Sequence, residues 1–340
     1  MTQLIKENFD LKSLNSFGIA ARANSFASVR DMNELDAALD HASRHGWPVQ
    51  VLGGGSNVLF TSDFPGLVLQ MNFRGITLRN NPGEITAAAG ENWHEFVKYC
   101  LQNQLYGIEN LALIPGTVGA APIQNIGAYG VELEQFVAWV EVCDIATGEI
   151  RKVAKHECQF SYRDSIFKTG NSPTNLVLSV TLQLLTTPAP NTSYQALREA
   201  LDTEGLGAAS ATPQQVFDTV CRVRRSKLPD PAVLGNAGSF FKNPIIPLTK
   251  FQVLRETYTA MPCYQTEDPR FVKVPAAWML DQLGWKGRHK GRAAVHANHA
   301  VVLVNLGHAH GDEIWSLAQE MRSSVVAHFG ITLETEVRVI

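Results

Sequence analysis

The sequence is poor in cysteine, carries little excess charge and contains no long hydrophobic run. Its five cysteines, Cys100, Cys143, Cys158, Cys221 and Cys263, are scattered and odd in number. Neither a disulfide framework nor zinc spacing is present, so they read as reduced thiols, mostly in the core. The net charge of -3 over 340 residues leaves no basic footprint for nucleic acid. No uncharged apolar stretch approaches the length of a membrane span. The start, MTQLIKENFD, lacks the apolar centre of a signal peptide. A soluble cytoplasmic protein is expected, without membrane insertion or a nucleic-acid partner. His296, His299, His308 and His310 show HxxH and HxH spacings. No carboxylates or thiols cluster with them, so no metal is expected.

What remains is ordinary globular usage, 45% hydrophobic and 18% charged, in a chain long enough for two or three domains. Leu35, Ala38, Leu39 and Ala42 recur at helical spacing between Asp31 and His45, with Asp31 or Asn33 as cap and Gly46 as terminator. Pro48–Leu52 reads as a strand running into Gly53-Gly54-Gly55. Strands follow at Gly66–Met71 and Ile85–Ala89, on either side of a turn at Arg79–Gly83. Asn92 caps a helix from Trp93 to Asn103, with Phe96, Val97, Cys100 and Leu101 facing inward. Val137–Asp144 and Ile150–Val153 flank Ala146-Thr147-Gly148 as a hairpin, and Leu176–Leu185 is another apolar strand. Residues 186–211, rich in Pro, Thr, Ala and Gly, read as an excursion or linker. Thr212-Pro213 opens a helix to Lys227, and Leu228-Pro229-Asp230-Pro231 marks a domain boundary. A strand (Ala300–Asn305), a long helix (Asp312–Phe329) and a last strand (Thr332–Ile340) complete an α+β unit.

Two glycine-rich loops stand out, VLGGGSNVLF at 51–60 and IPGTVGAAPIQNIGAYG at 114–130. Three glycines after a strand permit positive φ and close approach to a ligand, and their N–H groups can form an anion-binding concavity. Ser56 and Asn57 add side-chain donors. The Rossmann fingerprint fails, because its third glycine would fall on Val58 and the sequence continues as strand rather than helix. In the second loop, Pro115-Gly116-Thr117-Val118-Gly119 reads as a turn into a short helix whose N-terminus suits a diphosphate. Gln124, Asn125, Gly127, Ala128 and Tyr129 follow within a few residues. So long and apolar a loop, punctuated by glycine, points to a ligand.

These loops, in this order and spacing, resemble UDP-N-acetylenolpyruvoylglucosamine reductase, also called UDP-N-acetylmuramate dehydrogenase. The resemblance extends to Leu14-Asn15-Ser16-Phe17-Gly18, to Ser161–Lys168 (SYRDSIFK), to Gly235–Pro244 (GNAGSFFKNP) and to Leu333-Glu334-Thr335-Glu336-Val337. It covers nearly the whole chain. It implies an FAD-binding domain of the vanillyl-alcohol-oxidase (PCMH) type and a C-terminal α+β substrate-binding domain. The implied division is 1–70 and 71–228 as FAD-binding subdomains, the second including excursion 186–211, and 232–330 for substrate, with 331–340 returning near the active site. The implied reaction is reduction of UDP-N-acetylglucosamine-enolpyruvate to UDP-N-acetylmuramate, in peptidoglycan precursor synthesis. NADPH, as cosubstrate, reduces FAD; hydride then passes to C3 and a proton to C2. No flavin-linkage motif is recognisable, so FAD is expected to be noncovalent. A monomer is expected.

The residues that would carry this chemistry are ambiguous in isolation. Arg163 alone is an ordinary surface arginine; the resemblance makes it the partner of the substrate carboxylate, whose geometry a guanidinium fork matches. Ser239 alone is a cap or turn serine. A GxSxG nucleophile is excluded because Ala237 and Phe241 occupy its glycine positions. By resemblance Ser239 is the proton donor to C2, and as a weak acid it needs help from a cation such as Lys227 or Lys242. Alternation along the last strand puts Glu334, Glu336 and Arg338 on one face, which alone suggests a solvated face. The resemblance selects Glu336 as catalytic. Tyr162 would lie beside Arg163. Tyr194 matches the loop that closes over the UDP-sugar in the family's tyrosine-loop subgroup. Lys227 and Asn243 would contact the diphosphate or uridine, although a lysine at a helix C-terminus also suits the dipole. Two departures are Ala120-Ala121, where some relatives have serines, and Arg292, where relatives usually have glycine. A flavin oxidase and a non-catalytic nucleotide binder are the competing readings; retention of Arg163, Ser239 and Glu336 disfavours both.

Overall fold

The computed structural model describes residues 4–168 and 174–340. It divides into two compact units. The first comprises Met1–Phe9, Arg22–Gly55 and Phe64–Ser226; the second comprises Asp10–Ala21, Ser56–Asp63 and Lys227–Ile340.

The first unit holds two sheets. In one, the strands run in the order Ile5–Asp10, Arg22–Val29, Phe64–Met71, Val49–Leu52. The last three are mutually parallel, so a crossover must join them. Helix α1 (Met32–His45) is that crossover. Asp31 caps it by accepting from the Glu34 amide, and Gly46 ends it at φ 64°, a conformation glycine adopts without a Cβ penalty. Its face of Leu35, Ala38 and Ala42 packs on Ala27, Val29, Leu67 and Leu69. The other sheet is antiparallel, in the order Ile150–Ala154, Val137–Asp144, Asn175–Gln183, Glu84–Ala88, Ile76–Leu78. A large core lies between it and helices α2 (Trp93–Gln102), α3 (Gln195–Thr203) and α4 (Pro213–Lys227), with Phe96, Val97, Leu197, Leu201, Val216 and Val220 contributing.

The second unit has an antiparallel sheet, Gly235–Ser239, Val302–Asn305, Ala293–Val295, His289–Lys290. It carries helices α5 (Leu248–Thr257), α6 (Ala276–Gln282) and α7 (Gly311–Phe329), whose apolar faces share one core with Phe17, Phe240 and Phe241. Val58–Leu59 and Arg338–Val339 form a short parallel pair.

Two expectations are corrected and two are refined. The excursion at 186–211 contains a helix, because Leu197 and Leu201 are four apart and fully buried. The expected strand over 332–340 is regular only at Arg338–Val339. Before it the chain makes only the isolated Phe241–Thr335 bridge and then bends at Glu336 and Val337, and the alternation survives as burial of Leu333 and Val337. The short helix of the second glycine loop is a 3-10 helix, Val118–Gln124, with Pro122 inside it. Proline removes a donor that a longer α-helix would need. Leu101 faces the core as expected but is only partly buried.

Trp93 anchors the helix behind that loop. It is 1% exposed; its indole Nε1 donates to the Leu111 carbonyl at 2.9 Å and its amide to the Gly116 carbonyl at 3.1 Å. Trp93→Ala should cost about 3–5 kcal/mol through the cavity and the lost bond. A denaturant titration that left the unfolding midpoint in place would contradict this packing role.

Candidate active site

In the first unit the two glycine loops touch through backbone. A Cβ on Gly53 would meet Thr117 Oγ1 at 2.5 Å, and one on Gly54 would meet the Gly116 Cα at 3.0 Å. A side chain at either position would therefore force the facing loop to give way. Gly55 adopts φ 63°. Among the described residues, the Gly54 and Gly55 amides have no hydrogen-bond partner, and the buried Thr117 hydroxyl has none either. Free amides on a glycine turn and an orphaned buried hydroxyl suit an anionic group such as a dinucleotide diphosphate. On these observations the loop fits an FAD-type cofactor. Pro115 and Gly116 (φ 116°) lie in this contact. Gly119 is closed in by Ala89, whose Cα lies 2.9 Å from where a Cβ on the glycine would stand.

Leu113, just ahead of Pro115, has φ 57°. Two side chains hold it there: its amide donates to His94 Nδ1 at 3.1 Å, and its carbonyl accepts from Arg224 Nε at 3.2 Å. His94 stacks on Phe217 with ring centroids 5.3 Å apart. Burial lowers the His94 pKa below its ordinary 6.5, in keeping with an unprotonated Nδ1. Burial likewise lowers the Arg224 pKa; Tyr129 and Arg163 are among the groups whose charge it senses.

Further along, fully buried Asn125 sits at φ 43°. Its Nδ2 donates to Glu132 Oε2 and the Ser161 carbonyl, and its Oδ1 accepts from the Glu134 amide, at 3.0–3.2 Å. Ser161 and Asp164 close a turn through reciprocal backbone bonds of 3.1 Å, which presents Tyr162 and Arg163. Arg163 has φ 56°. Its Nη2 donates to the Gly127 carbonyl at 2.8 Å, and its guanidinium carbon lies 5.3 Å from the Tyr162 ring centroid. A Cβ on Gly127 would stand 3.0 Å from Arg163 Nη1, so glycine there admits the arginine. Gln124 ends the 3-10 helix, and Ala128 pairs with Val131 in a small hairpin. Burial raises the Tyr129 pKa. Its ring meets Tyr194 edge-on, with centroids 5.6 Å apart.

Ser239 and Glu336 belong to the second unit, and the fold brings their backbones together. The strand Gly235–Ser239 slips register between Asn236 and Ser239 against Val302–Asn305. Asn236 supports this bulge: Nδ2 donates to the Pro229 and Leu234 carbonyls, and Oδ1 accepts from the Gly238 amide. A bulge re-aims the side chain that follows it, here Ser239. The next carbonyl, Phe240, accepts from the Glu336 amide at 2.8 Å. Asn57 Nδ2 donates to the Glu336 carbonyl at 3.1 Å, and its own carbonyl accepts from Arg338. Ser56 precedes it on the same segment. The Leu14–Gly18 motif is a turn stitched by Asn15, whose side chain bonds Leu11 and Ile19. The Phe17 carbonyl then sits where a Cβ on Gly235 would come within 2.2 Å. Lys242 pairs with Glu334 at 3.3 Å. Asn243 Oδ1 accepts from the Ala276 amide at the start of α6. Exposed Lys227 ends α4. Arg292 donates to the Gly307 carbonyl. Sequence reading missed His94, Asn110, Thr117, Arg224 and Asn236. Thr117 and Asn236 fall inside motifs already singled out, PGTVG and GNAGSFFKNP, and Asn110 stands as a polar residue in an otherwise apolar run; His94 and Arg224 left no signal.

The parallel sheet, its glycine turn and the loop packed on it are those of a flavin-nucleotide-binding protein: residues 23–154 match the family description "FAD binding domain". Residues 230–340 match "UDP-N-acetylenolpyruvoylglucosamine reductase, C-terminal domain". The chain is 46% identical over 332 residues to UDP-N-acetylenolpyruvoylglucosamine reductase of Paraburkholderia phymatum, covering 97% of this chain and 96% of the relative. It is 43% identical over 339 residues to the Pseudomonas putida protein of the same name, covering 99% of each. The chain belongs to the UDP-N-acetylenolpyruvoylglucosamine reductase family. A crystal structure of that reductase from Thermus caldophilus shares the fold, with TM-score 0.67 at 23% identity over 97% of each chain. No helix among the described residues is long and apolar enough to cross a membrane.

Two outcomes are expected here. Gly119→Ala forces the loop off Ala89, whose backbone cannot yield, so the purified protein should carry markedly less FAD by absorbance. His94 has a lowered folded-state pKa, so its contribution to stability is present above its ordinary value of 6.5 and lost as pH falls below it. His94→Gln keeps an acceptor without titrating. Thermal melts from about pH 8 to about pH 5.5 should therefore fall less steeply in that variant than in the wild type.

Proposed function

We propose that Arg163, Ser239 and Glu336 divide the work of adding hydride and proton across a vinyl ether, with the remaining site residues binding the UDP-sugar. The chain is an FAD-dependent oxidoreductase that uses NADPH to reduce UDP-N-acetylglucosamine-enolpyruvate to UDP-N-acetylmuramate, a step of peptidoglycan precursor synthesis. The observation that supports the division of roles is the Phe240–Glu336 backbone bond, which sets Glu336 next to the strand that ends in Ser239.

The chemistry supplied by bound FAD is hydride transfer, from NADPH to C3 of the enolpyruvyl group. The Gly53–Gly55 turn, Ser56, Asn57, Pro115, Gly116, Gly119, Gln124, Asn125, Gly127, Ala128 and Tyr129 are the residues that hold it. Arg163 binds the substrate carboxylate, onto which negative charge spreads as hydride arrives, so the pairing strengthens in the transition state. Its Nη2 bond to Gly127 orients the fork in advance. Glu336 stands at the developing charge and takes part in its stabilisation by hydrogen bonding. Ser239 delivers the proton to C2. A serine hydroxyl is a weak acid, so a neighbouring cation stabilises the alkoxide it leaves. Lys227 or Lys242, the latter paired with Glu334, supplies that charge. Tyr162 and Tyr194 contact the UDP-sugar. Lys227 and Asn243 meet its diphosphate or uridine, Asn243 through Nδ2 because Oδ1 is committed to the Ala276 amide.

In this reading residues 1–70 and 71–228 serve the flavin, 232–330 serve the substrate and 331–340 return to the active site. The enzyme works as a cytoplasmic monomer.

Anaerobic stopped flow separates the two half-reactions. Ser239→Ala should let NADPH bleach the flavin at near wild-type rate. Reoxidation by UDP-N-acetylglucosamine-enolpyruvate should slow by roughly 10²–10⁴-fold, the usual worth of a general acid. Reoxidation at the normal rate would remove Ser239 from the mechanism. Wild-type enzyme that failed to reoxidise with this substrate would overturn the assigned reaction.

A further inference from the structure

One buried side chain joins two loops of the first unit. Asn110 lies in the short turn Glu109–Leu111 and is 0% exposed. Its Nδ2 donates to the Tyr129 carbonyl at 2.9 Å and to the Asn191 carbonyl at 2.8 Å. Tyr129 belongs to the second glycine loop; Asn191 belongs to the segment that leads into α3. Asn191 answers from its own side, donating through Nδ2 to the Gly130 carbonyl at 3.2 Å. Its Oδ1 accepts from the Ser193 amide at 3.0 Å and the Ser193 hydroxyl at 2.6 Å. That turn delivers Tyr194 to the N-terminus of α3, where the Tyr194 carbonyl accepts from Leu197 and Arg198. Gly130, at φ 84°, leaves the Ser193 hydroxyl and Tyr194 Cβ in ordinary contact range.

Both donors sit on one nitrogen. The two carbonyls must therefore be near Asn110 together, and neither loop can shift without breaking a buried bond. From 186 to 193 the chain forms neither helix nor strand, so these bonds tie it to the cofactor loop. The nearest neutral or isosteric replacements do not do this. Asp offers only acceptors to two carbonyls, Ser offers one donor, and Gln adds a methylene.

We propose that Asn110 is a positioning residue, a neutral latch that ties the 191–194 segment to the 127–130 loop and so places Tyr194 for the UDP-sugar. The proposal rests on the reading of Tyr194 as a substrate contact.

The test uses FAD-loaded enzyme: wild type, Asn110→Ala, Tyr194→Ala and the double variant. KM for UDP-N-acetylglucosamine-enolpyruvate, kcat and flavin content are measured, with hydrogen exchange of residues 186–198 in the absence of substrate. Loss of two buried bonds should raise KM and exchange by about 10-fold or more, with flavin content and kcat little changed. In the Tyr194→Ala background, Asn110→Ala should add less than about 3-fold, because both act through one element. Where Tyr194→Ala raises KM, an unchanged KM in Asn110→Ala, or effects that multiply in full, overturns the latch. If Tyr194→Ala alone leaves KM unchanged, the reading of Tyr194 fails instead; faster exchange at 186–198 in Asn110→Ala then still supports the latch, and unchanged exchange refutes it. Should Asn110→Ala not retain FAD, Asn110→Ser, which keeps one donor and gives up the second bond, is measured in its place, and the same KM and exchange criteria decide.

Discussion

Backbone buried in a loop has no ladder to satisfy it, and an unpaired buried N–H or C=O costs about as much as a lost hydrogen bond. This chain carries long irregular segments through its interior, and asparagine side chains meet that constraint. Asn15, Asn110, Asn125 and Asn236 are all buried, and each bonds backbone groups from two or more places. A carboxamide offers donors and an acceptor on a short stem without a charge to desolvate. The loops around the site thereby gain backbone partners without taking up strand geometry.

The second constraint is steric. Gly53 and Gly54 let Thr117 and Gly116 lie against them, and Gly119 is held to glycine by the Ala89 backbone. Such contacts bring two backbones within van der Waals range and leave amides facing the space a ligand would take. Positive φ at the non-glycine residues Leu113, Asn125, Tyr129 and Arg163 marks the same region as strained. Side-chain bonds to these segments, from His94, Arg224, Asn125 and Lys168, offset that strain. In the second unit the bulge before Ser239 and the Phe240–Glu336 bond do comparable work with a sheet edge.

Much was legible in the residues. The caps at Asp31 and Asn92, the hairpin at 144–150, and the helices over 213–227 and 311–329 all follow from local periodicity and capping chemistry. The α3 helix was obscured because two buried leucines were outweighed by surrounding Pro, Thr and Gly. The final strand was over-read because alternation reports an extended chain facing a core, whether or not a neighbour completes the ladder. Of the site, the glycine positions, Arg163, Ser239 and Glu336 were reached through motifs and family resemblance rather than through periodicity.

The sequence by itself determined the elements whose bonding partners lie within a turn or two along the chain, together with the glycines and motif residues that family membership requires. Only the tertiary structure decided what stands opposite them: Thr117 against Gly53, Gly127 beneath Arg163, Phe240 beside Glu336, Asn110 between Tyr129 and Asn191. Those partners are tens of residues apart in the chain, or more. Local propensity is blind to such pairs, because the hydrogen bond or clash that selects each residue exists only after folding.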